Sequence, residues 1–287
     1  MAYTTIVTTE VLHAHLEDPG WVVCDCRFTL TDADAGRRAH AAGHIPGARY
    51  VHLEEDLSSP PGPGTGRHPL PDIAVLAEKL GGWGIGAGVQ VVVYDDTFGA
   101  MAARLWWLLR WLGHREVALL DGGWPRWQRE GRPVEASAPP PRPRAFEARP
   151  DHRLWVDAGA AARAAADPQA LLLDARAEER FTGDREPLDP VAGHVPGARN
   201  RPYEDNLALS GDFLPPEELA EEYRGLLSGR APSAVIHMCG SGVTACHNIL
   251  AMEIAGLTGS RLYAGSWSEW ITDPARPVAT GPDGMAA

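Results

Sequence analysis

Short apolar runs recur along the chain and alternate with segments of helical character. The clearest runs are Val89 to Tyr94 and Val235 to Met238, which are almost continuously apolar. Runs of this kind are typical of strands buried on both faces of a parallel sheet. Because helices are predicted between the strands, the pattern indicates an α/β architecture in which helices flank each small parallel sheet.

Three motifs repeat in the same order in the two halves of the chain. The matching pairs are GHIPGAR at 43–49 with GHVPGAR at 193–199, VVCDCR at 22–27 with LLLDAR at 171–176, and WPRW at 124–127 with WSEW at 267–270. A repeat that preserves the order of several motifs indicates duplication of a whole structural unit. The sequence therefore predicts two similar α/β domains in tandem.

The segment between the two halves is rich in proline and small residues, which indicates an extended linker. We predict a first domain at 1–135, the linker at 136–150 and a second domain at 151–287. A chain of 287 residues is long enough for two domains, each with its own core.

Cys239 is the candidate nucleophile, because it directly follows the apolar run at 235–238 and precedes a predicted helix at 246–256. Gly240 and Gly242 allow the backbone to turn so that successive N–H groups point inward. Such groups, together with a helix N-terminus, favour a thiolate or another negatively charged sulfur. The predicted active-site loop consists of Gly240, Ser241, Gly242, Val243 and Thr244.

The segment CGSGVTA at 239–245 resembles the active-site loop of the rhodanese superfamily, in the form found in 3-mercaptopyruvate sulfurtransferases. The resemblance covers nearly the whole chain and implies two rhodanese-like domains. It also implies that Cys239 takes sulfane sulfur from a small anionic donor, carries it as a persulfide and passes it to a thiol or cyanide. A thioredoxin-like protein is one candidate acceptor, and no cofactor is expected.

Only the second half carries a cysteine in this loop. In the first half we align Asp96, in the segment YDDTFGA at 94–100, with Cys239. A carboxylate cannot form a persulfide, so we predict a catalytically silent first domain. This agrees with the tandem sulfurtransferases that the chain resembles.

An anionic donor requires a cation near Cys239, and arginine suits a carboxylate or sulfonate because it can form paired hydrogen bonds. Arg180 matches the substrate-binding arginine of the family. A second family arginine is missing, since the corresponding segment reads EPLD at 186–189. Arg185 is the nearby candidate for its role.

His44 is a further candidate, although a fold-building role is the simpler interpretation because His194 occupies the same turn in the other half. In the mercaptopyruvate enzymes the histidine matching His44 is thought to reach the serine matching Ser241. A serine–histidine relay of this kind could protonate the departing enolate. Asp32 and Asp34 are candidates, by position only, for the carboxylate that orients the histidine.

The formal charge of −12 argues against nucleic-acid and acidic-membrane partners, because these polyanions attract basic surfaces. The first residues contain no basic segment followed by an apolar core, so no signal peptide is expected. Cys24, Cys26, Cys239 and Cys246 form no CxxC pair, and no histidine spacing suits zinc, so no metal is expected. We therefore expect a cytoplasmic protein.

Two alternatives to a sulfurtransferase remain open. Phosphatases of related fold close the cysteine loop with an arginine, but no arginine follows Cys239 before Arg261, which disfavours phosphoryl chemistry. A sulfur carrier or scaffold protein without independent turnover is the other alternative. The donor also stays open, because the loop favours 3-mercaptopyruvate whereas the missing arginine weakens that choice relative to thiosulfate.

Overall fold

The computed structural model describes residues 2–137 and 140–282, and these form two compact units. Of the described residues, unit 1 contains 2–59, 70–137, 140–151 and 210–212. Unit 2 contains 60–69, 152–209 and 213–282. Each unit thus contains a short segment from the other half of the chain, which the sequence-based division at 135 and 151 does not include.

Unit 1 contains a five-stranded parallel sheet with the strand order β1-β5-β4-β2-β3. Its strands are β1 (Ile6–Val7), β2 (Trp21–Asp25), β3 (Arg49–Tyr50), β4 (Gln90–Tyr94) and β5 (Val117–Leu120). Its helices are α1 (Thr9–Ala14), α2 (Ala35–Ala42), α3 (Ile73–Gly82), α4 (Ala102–Trp111) and α5 (Gly123–Arg129). All five residues of the central strand β4 are buried, as the continuous apolar run predicts.

Unit 2 repeats this topology with the strand order β6-β10-β9-β7-β8, again all parallel. Its strands are β6 (Trp155–Val156), β7 (Leu171–Asp174), β8 (Arg199–Asn200), β9 (Val235–Met238) and β10 (Arg261–Tyr263). Its helices are α6 (Ala158–Ala166), α7 (Glu178–Thr182), α8 (Pro216–Leu227), α9 (Ala245–Ile254) and α10 (Ser266–Trp270). Short 3-10 turns cover His152–Leu154, Tyr203–Asn206 and Pro232–Ala234. The prediction of two small α/β units with parallel sheets is confirmed.

The three repeated motifs meet in one buried ion pair in each unit. In unit 2, Arg176 bonds to Asp174 at 2.7 Å, donates to Gly193 O at 2.8 Å and lies over the ring of Trp267. Arg27 makes the equivalent contacts in unit 1, and both arginines are almost fully buried. A buried charge requires such partners, which explains why the motifs are repeated together.

The proline-rich segment follows the surface of unit 1 after residue 139. Backbone N–H groups of Arg144 and Arg149 donate to Gly81 O and Leu112 O, both at 2.9 Å. Residues 138 and 139 of the predicted linker lie outside the described residues.

Within the described part of the chain, no helix has the length and apolar character needed to cross a membrane. The same residues contain no group of three or more His, Cys, Asp or Glu side chains arranged to hold a metal ion.

Candidate active site

Cys239 directly follows β9 at the carboxyl end of the sheet in unit 2, and it is 2% exposed. Its Sγ accepts a hydrogen bond from the Gly242 N–H at 3.2 Å. Gly242 has φ +78°, and a Cβ on it would lie 2.3 Å from Ala264 O, so the loop requires glycine there. Val243 and Thr244 complete the loop, and α9 begins at Ala245. The loop therefore directs a backbone N–H at the sulfur.

The start of α10 supports the loop from the other side. The Trp267 N–H donates to Cys239 O at 3.0 Å, and the Ser268 N–H donates to Gly240 O at 2.9 Å. The Cys239 N–H in turn donates to Ser266 Oγ at 3.1 Å. The repeated Trp-x-x-Trp motif thus fixes the backbone of the candidate nucleophile.

Two guanidinium groups lie beside Gly240. A Cβ placed on Gly240 would be 3.4 Å from Arg180 Nη1 and 3.0 Å from Arg67 Nη2. The absence of a side chain at residue 240 therefore leaves room for the arginines next to Cys239. Arg180 lies where the family resemblance predicts a substrate-binding residue, but Arg67 is missing from the sequence-based site.

Buried carboxylates hold these arginines in place. Glu186 accepts from Arg180 Nε at 3.0 Å, and Asp189 accepts from Arg180 Nη2 at 3.0 Å and also from Arg67 Nη1. Burial favours a higher pKa for Glu186, but hydrogen bonds from Arg180 and the backbone outweigh it and lower that pKa. For Asp189 burial dominates and raises the pKa above its ordinary value.

The predicted role of Arg185 is not supported by its position. Its side chain is exposed, and its backbone N–H donates to Glu179 O at 2.9 Å. The second cation beside the loop is Arg67, which Asp189 holds. The EPLD segment at 186–189 thus supplies Asp189, whose carboxylate binds an arginine from elsewhere in the chain.

The histidine that contacts Ser241 is His68, whose Nδ1 lies 2.7 Å from Ser241 Oγ. Both side chains are buried. Of the two interpretations of His44, the relay with Ser241 is not supported, because His68 makes that contact. His44 Nδ1 lies 2.7 Å from His40 O, its ring stacks on His40, and its backbone pairs with Glu135. His44 therefore has the fold-building role that its repeated position favours.

Asp32 and Asp34 do not orient a catalytic histidine. Asp32 is paired with Arg38 and Asp34 lies near Arg37, and both carboxylates are largely exposed in unit 1. Position in the sequence alone was a poor guide to their surroundings.

Arg67 and His68 reach the site on the segment 60–69, which packs within unit 2. The Arg67 N–H donates to Ser268 Oγ at 3.0 Å, and a Cβ on Gly66 would lie 2.5 Å from Gly265 O. The sequence carries one signal for this arrangement, an Arg-His pair after a run of prolines and glycines at 60–66. That signal gives no indication of which strand end the pair approaches.

In unit 1 the residue that corresponds to Cys239 is Asp95, so our alignment with Asp96 was wrong. Strand register pairs Asp25 with Tyr94, and it pairs the equivalent Asp174 with Met238. The next residues are Asp95 and Cys239, and each backbone oxygen accepts the N–H of the first Trp in its Trp-x-x-Trp motif. Neither aspartate can form a persulfide, because a carboxylate has no sulfur to carry it.

The Asp95 side chain fills the loop of unit 1. Its carboxylate accepts four backbone N–H groups, all at 2.7–2.9 Å, from Thr97, Gly99, Met101 and Ala102. Asp95 is fully buried. The loop is thus an anion-binding nest whose anion is part of the chain.

Asp95→Ala should destabilise unit 1 by about 3 kcal/mol, because it leaves several buried N–H groups without an acceptor. Calorimetric unfolding measures this loss. Asp96→Ala is the matched control, since Asp96 is exposed and its removal should change stability by less than about 0.5 kcal/mol. A larger loss from Asp96→Ala would show that the strand register is wrong.

The other cysteines are placed differently from Cys239. Cys24 and Cys26 are buried at the end of β2, and burial raises the pKa of Cys24 to about 12 and that of Cys26 well above its ordinary value. Such thiols remain protonated and unreactive at neutral pH. Cys246 is buried on α9, and its Sγ lies 3.4 Å from Gly242 O, where it supports the loop.

His237 also lies close to Cys239 in sequence, on β9. It is fully buried, and burial lowers its pKa to about 3. It is therefore neutral at physiological pH, which makes it unsuitable as a proton donor to substrate.

One known protein family matches both halves of the chain. The model of the rhodanese-like domain matches residues 8–130 and again residues 157–273. A nucleophilic cysteine loop at the strand ends of one of two such domains defines a tandem-domain sulfurtransferase. The chain belongs to the rhodanese family, and the predictions of family and enzyme class are confirmed.

Relatives of the chain include enzymes of both donor types. A probable 3-mercaptopyruvate sulfurtransferase of Pseudomonas aeruginosa is 51% identical and covers 98% of this chain and 100% of its own length. A putative thiosulfate sulfurtransferase of Mycobacterium tuberculosis is 41% identical, with 90% of each chain covered. The structure of 3-mercaptopyruvate sulfurtransferase from Leishmania major is 31% identical with a TM-score of 0.82, covering 93% of this chain and 74% of that one. The chain is therefore similar to sulfurtransferases that use small sulfur donors and thiol or cyanide acceptors.

Proposed function

We propose that the chain prefers 3-mercaptopyruvate to thiosulfate as its sulfur donor. The observation that carries this choice is the 2.7 Å contact between Ser241 Oγ and His68 Nδ1 in the cysteine loop. Breaking the carbon–sulfur bond of mercaptopyruvate releases an enolate, which needs a proton to become pyruvate. Breaking the sulfur–sulfur bond of thiosulfate releases sulfite, a stable anion that needs none. A proton donor beside Cys239 is therefore useful for the first donor and superfluous for the second.

In the proposed first half-reaction the Cys239 thiolate attacks the sulfur of mercaptopyruvate. The new Sγ–S bond forms as the carbon–sulfur bond breaks, and the bonding electrons leave with the enolate. Ser241 gives its hydroxyl proton to the enolate carbon and receives a proton from His68 Nδ1. Cys239 is left as a persulfide, and pyruvate departs.

Arg67 and Arg180 would hold the donor carboxylate during this step. Arg180 Nη1, Arg180 Nη2 and Arg67 Nη2 lie beside Gly240, and Glu186 and Asp189 bind Arg180 Nε, Arg180 Nη2 and Arg67 Nη1. The carboxylates thus orient the guanidiniums before the donor arrives, which reduces the entropy lost on binding. The Gly242 N–H would stabilise the negative sulfur.

In the second half-reaction a thiol or cyanide attacks the outer sulfur and releases the Cys239 thiolate. No external oxidant is needed, because the departing carbon keeps the electron pair of the carbon–sulfur bond. This carbon is reduced as the thiol sulfur of the donor becomes the sulfane sulfur of the persulfide, which then passes unchanged to the acceptor. We propose a thiol as the acceptor, with a thioredoxin-like protein as one candidate. The four cysteines are free, which fits a reducing compartment, so we propose the cytoplasm.

The donor choice is tested with Ser241→Ala and His68→Asn, each assayed with both donors. With 3-mercaptopyruvate, kcat/KM should fall about 100-fold, because the enolate loses its proton donor. With thiosulfate, kcat/KM should stay within about threefold of wild type. Equal losses with both donors would show that the pair only positions the loop. A wild-type enzyme that uses thiosulfate more efficiently would overturn the donor choice.

A further inference from the structure

Ser266 has a backbone conformation that costs energy for any residue with a Cβ. Its φ is +54°, in the left-handed region, and the residue is fully buried at the start of α10. Serine is unfavourable there because its Cβ crowds the neighbouring carbonyl group. Residues held in such conformations cluster at functional sites.

The silent unit provides an internal comparison. Trp124 and Trp267 are equivalent, so the residue that corresponds to Ser266 is Gly123, whose φ is also +54°. Unit 1 thus uses the residue that the conformation favours. Unit 2 has a serine at the same place. Its side chain must therefore make a contact that glycine cannot make and that compensates for the unfavourable φ.

The hydroxyl of Ser266 contacts the backbone of the nucleophile. Ser266 Oγ accepts the Cys239 N–H at 3.1 Å and donates to Tyr263 O at 2.9 Å. Because the proton of the hydroxyl is directed to Tyr263, an oxygen lone pair faces Cys239. The hydroxyl therefore links the end of β10 to the peptide group immediately before the Cys239 Cα.

We propose that Ser266 is a positioning residue for sulfur transfer, retained in a strained conformation because its hydroxyl fixes the direction of the Cys239 thiol. Holding the Cys239 N–H sets the plane of the preceding peptide and so the Cα–Cβ direction. That direction brings Sγ to the Gly242 N–H. The inference rests on the proposed role of Cys239 as the sulfur carrier.

Ser266 should affect the chemical step rather than donor binding. The arginines beside Gly240 are held by Glu186 and Asp189, which belong to the segment after α7. Loss of the Ser266 hydroxyl leaves that arrangement in place while the thiol loses its fixed direction. A small misplacement of a nucleophile lowers the rate strongly because the reacting atoms no longer align.

The experiment compares Ser266→Ala with Ser266→Gly in the full-length protein. Both variants lose the hydroxyl, but only glycine also relieves the backbone strain. We expect kcat to fall about tenfold in both, with KM within about twofold of wild type. Alkylation of Cys239 by iodoacetamide, followed by mass spectrometry without any sulfur donor, should slow in both variants. Ser266→Gly should nevertheless unfold at least about 2 °C above Ser266→Ala.

Gly123→Ala is the matched control for strain, measured by thermal unfolding alone. It adds a Cβ at the equivalent φ, 2.6 Å from Asp95 O, and should lower the unfolding temperature. The proposal is overturned if Ser266→Gly has wild-type kcat and alkylation rate, since activity would then follow stability rather than the hydroxyl. The alkylation rate needs no sulfur donor, so it tests the role of Ser266 independently of sulfur transfer. Failure of the sulfur-carrier role of Cys239 would instead appear as turnover in Cys239→Ser.

Discussion

Cys239→Ser is expected to lower sulfur transfer at least about a thousandfold with either donor, because a serine hydroxyl cannot carry sulfane sulfur. The fold should remain, since the loop conformation depends on Gly242, on backbone hydrogen bonds and on the contacts with α10. Steady-state rates with cyanide as acceptor measure the loss, and circular dichroism and thermal unfolding check the fold.

Cys26→Ala and Cys246→Ser are the controls for that result. Cys26 lies in unit 1, and serine at residue 246 keeps a donor for Gly242 O. Both variants should retain most of the activity. If Cys239→Ser kept more than a few per cent of wild-type turnover, or if a control lost as much as Cys239→Ser, Cys239 would not be the sole sulfur carrier.

Arg67→Ala and Arg180→Ala are each expected to raise the KM for 3-mercaptopyruvate and lower kcat/KM roughly thirtyfold. Loss of one charge-assisted contact to an anion costs about 2 kcal/mol, which corresponds to that factor. Thiosulfate is also an anion, so its kcat/KM should fall as well. Arg180→Lys should recover only part of the loss, because an ammonium group cannot form paired hydrogen bonds with a carboxylate.

Arg185→Ala is the matched control, since it removes an arginine of the same segment whose side chain is exposed. It should leave both donors unaffected. Thermal unfolding must accompany these assays because removal of either arginine takes a partner from the buried Asp189. A neutral Arg67→Ala would show that the donor does not use the second cation beside Gly240.

The fold and the nucleophile could be predicted from the sequence because their signals are local. The apolar run before Cys239 indicates the strand, the glycines indicate the turn, and both lie within a few residues. The repeat was equally clear, since Asp174, Arg176 and Trp267 form one buried cluster whose members are difficult to replace separately.

The partners of the nucleophile could not be predicted, because they are distant in sequence. Arg67 and His68 precede Ser241 by more than 170 positions, and no periodic pattern links a proline-rich segment to a particular strand end. His44 lies in a motif that occurs in both halves of the chain, whereas Arg67 and His68 do not. That repeat reflects a structural role of the turn and not a catalytic one.

The position equivalent to Cys239 in unit 1 was misplaced by one residue for a different reason. Seven positions separate Asp95 from the start of α4 at Ala102, whereas six separate Cys239 from the start of α9 at Ala245. The sequence does not show where in the loop the extra residue lies. The strand register and the Trp124 N–H, which donates to Asp95 O, show that the extra residue lies after Asp95.

Sulfur transfer through Cys239 is tested most directly by the intact mass of the protein after incubation with 3-mercaptopyruvate without an acceptor. We predict one added sulfur atom, about 32 Da, located at Cys239 by peptide mapping and removed by cyanide. Cys239→Ser should stay unmodified under the same conditions. An unmodified wild-type mass, despite release of pyruvate, or sulfur located on another cysteine would contradict transfer through a Cys239 persulfide.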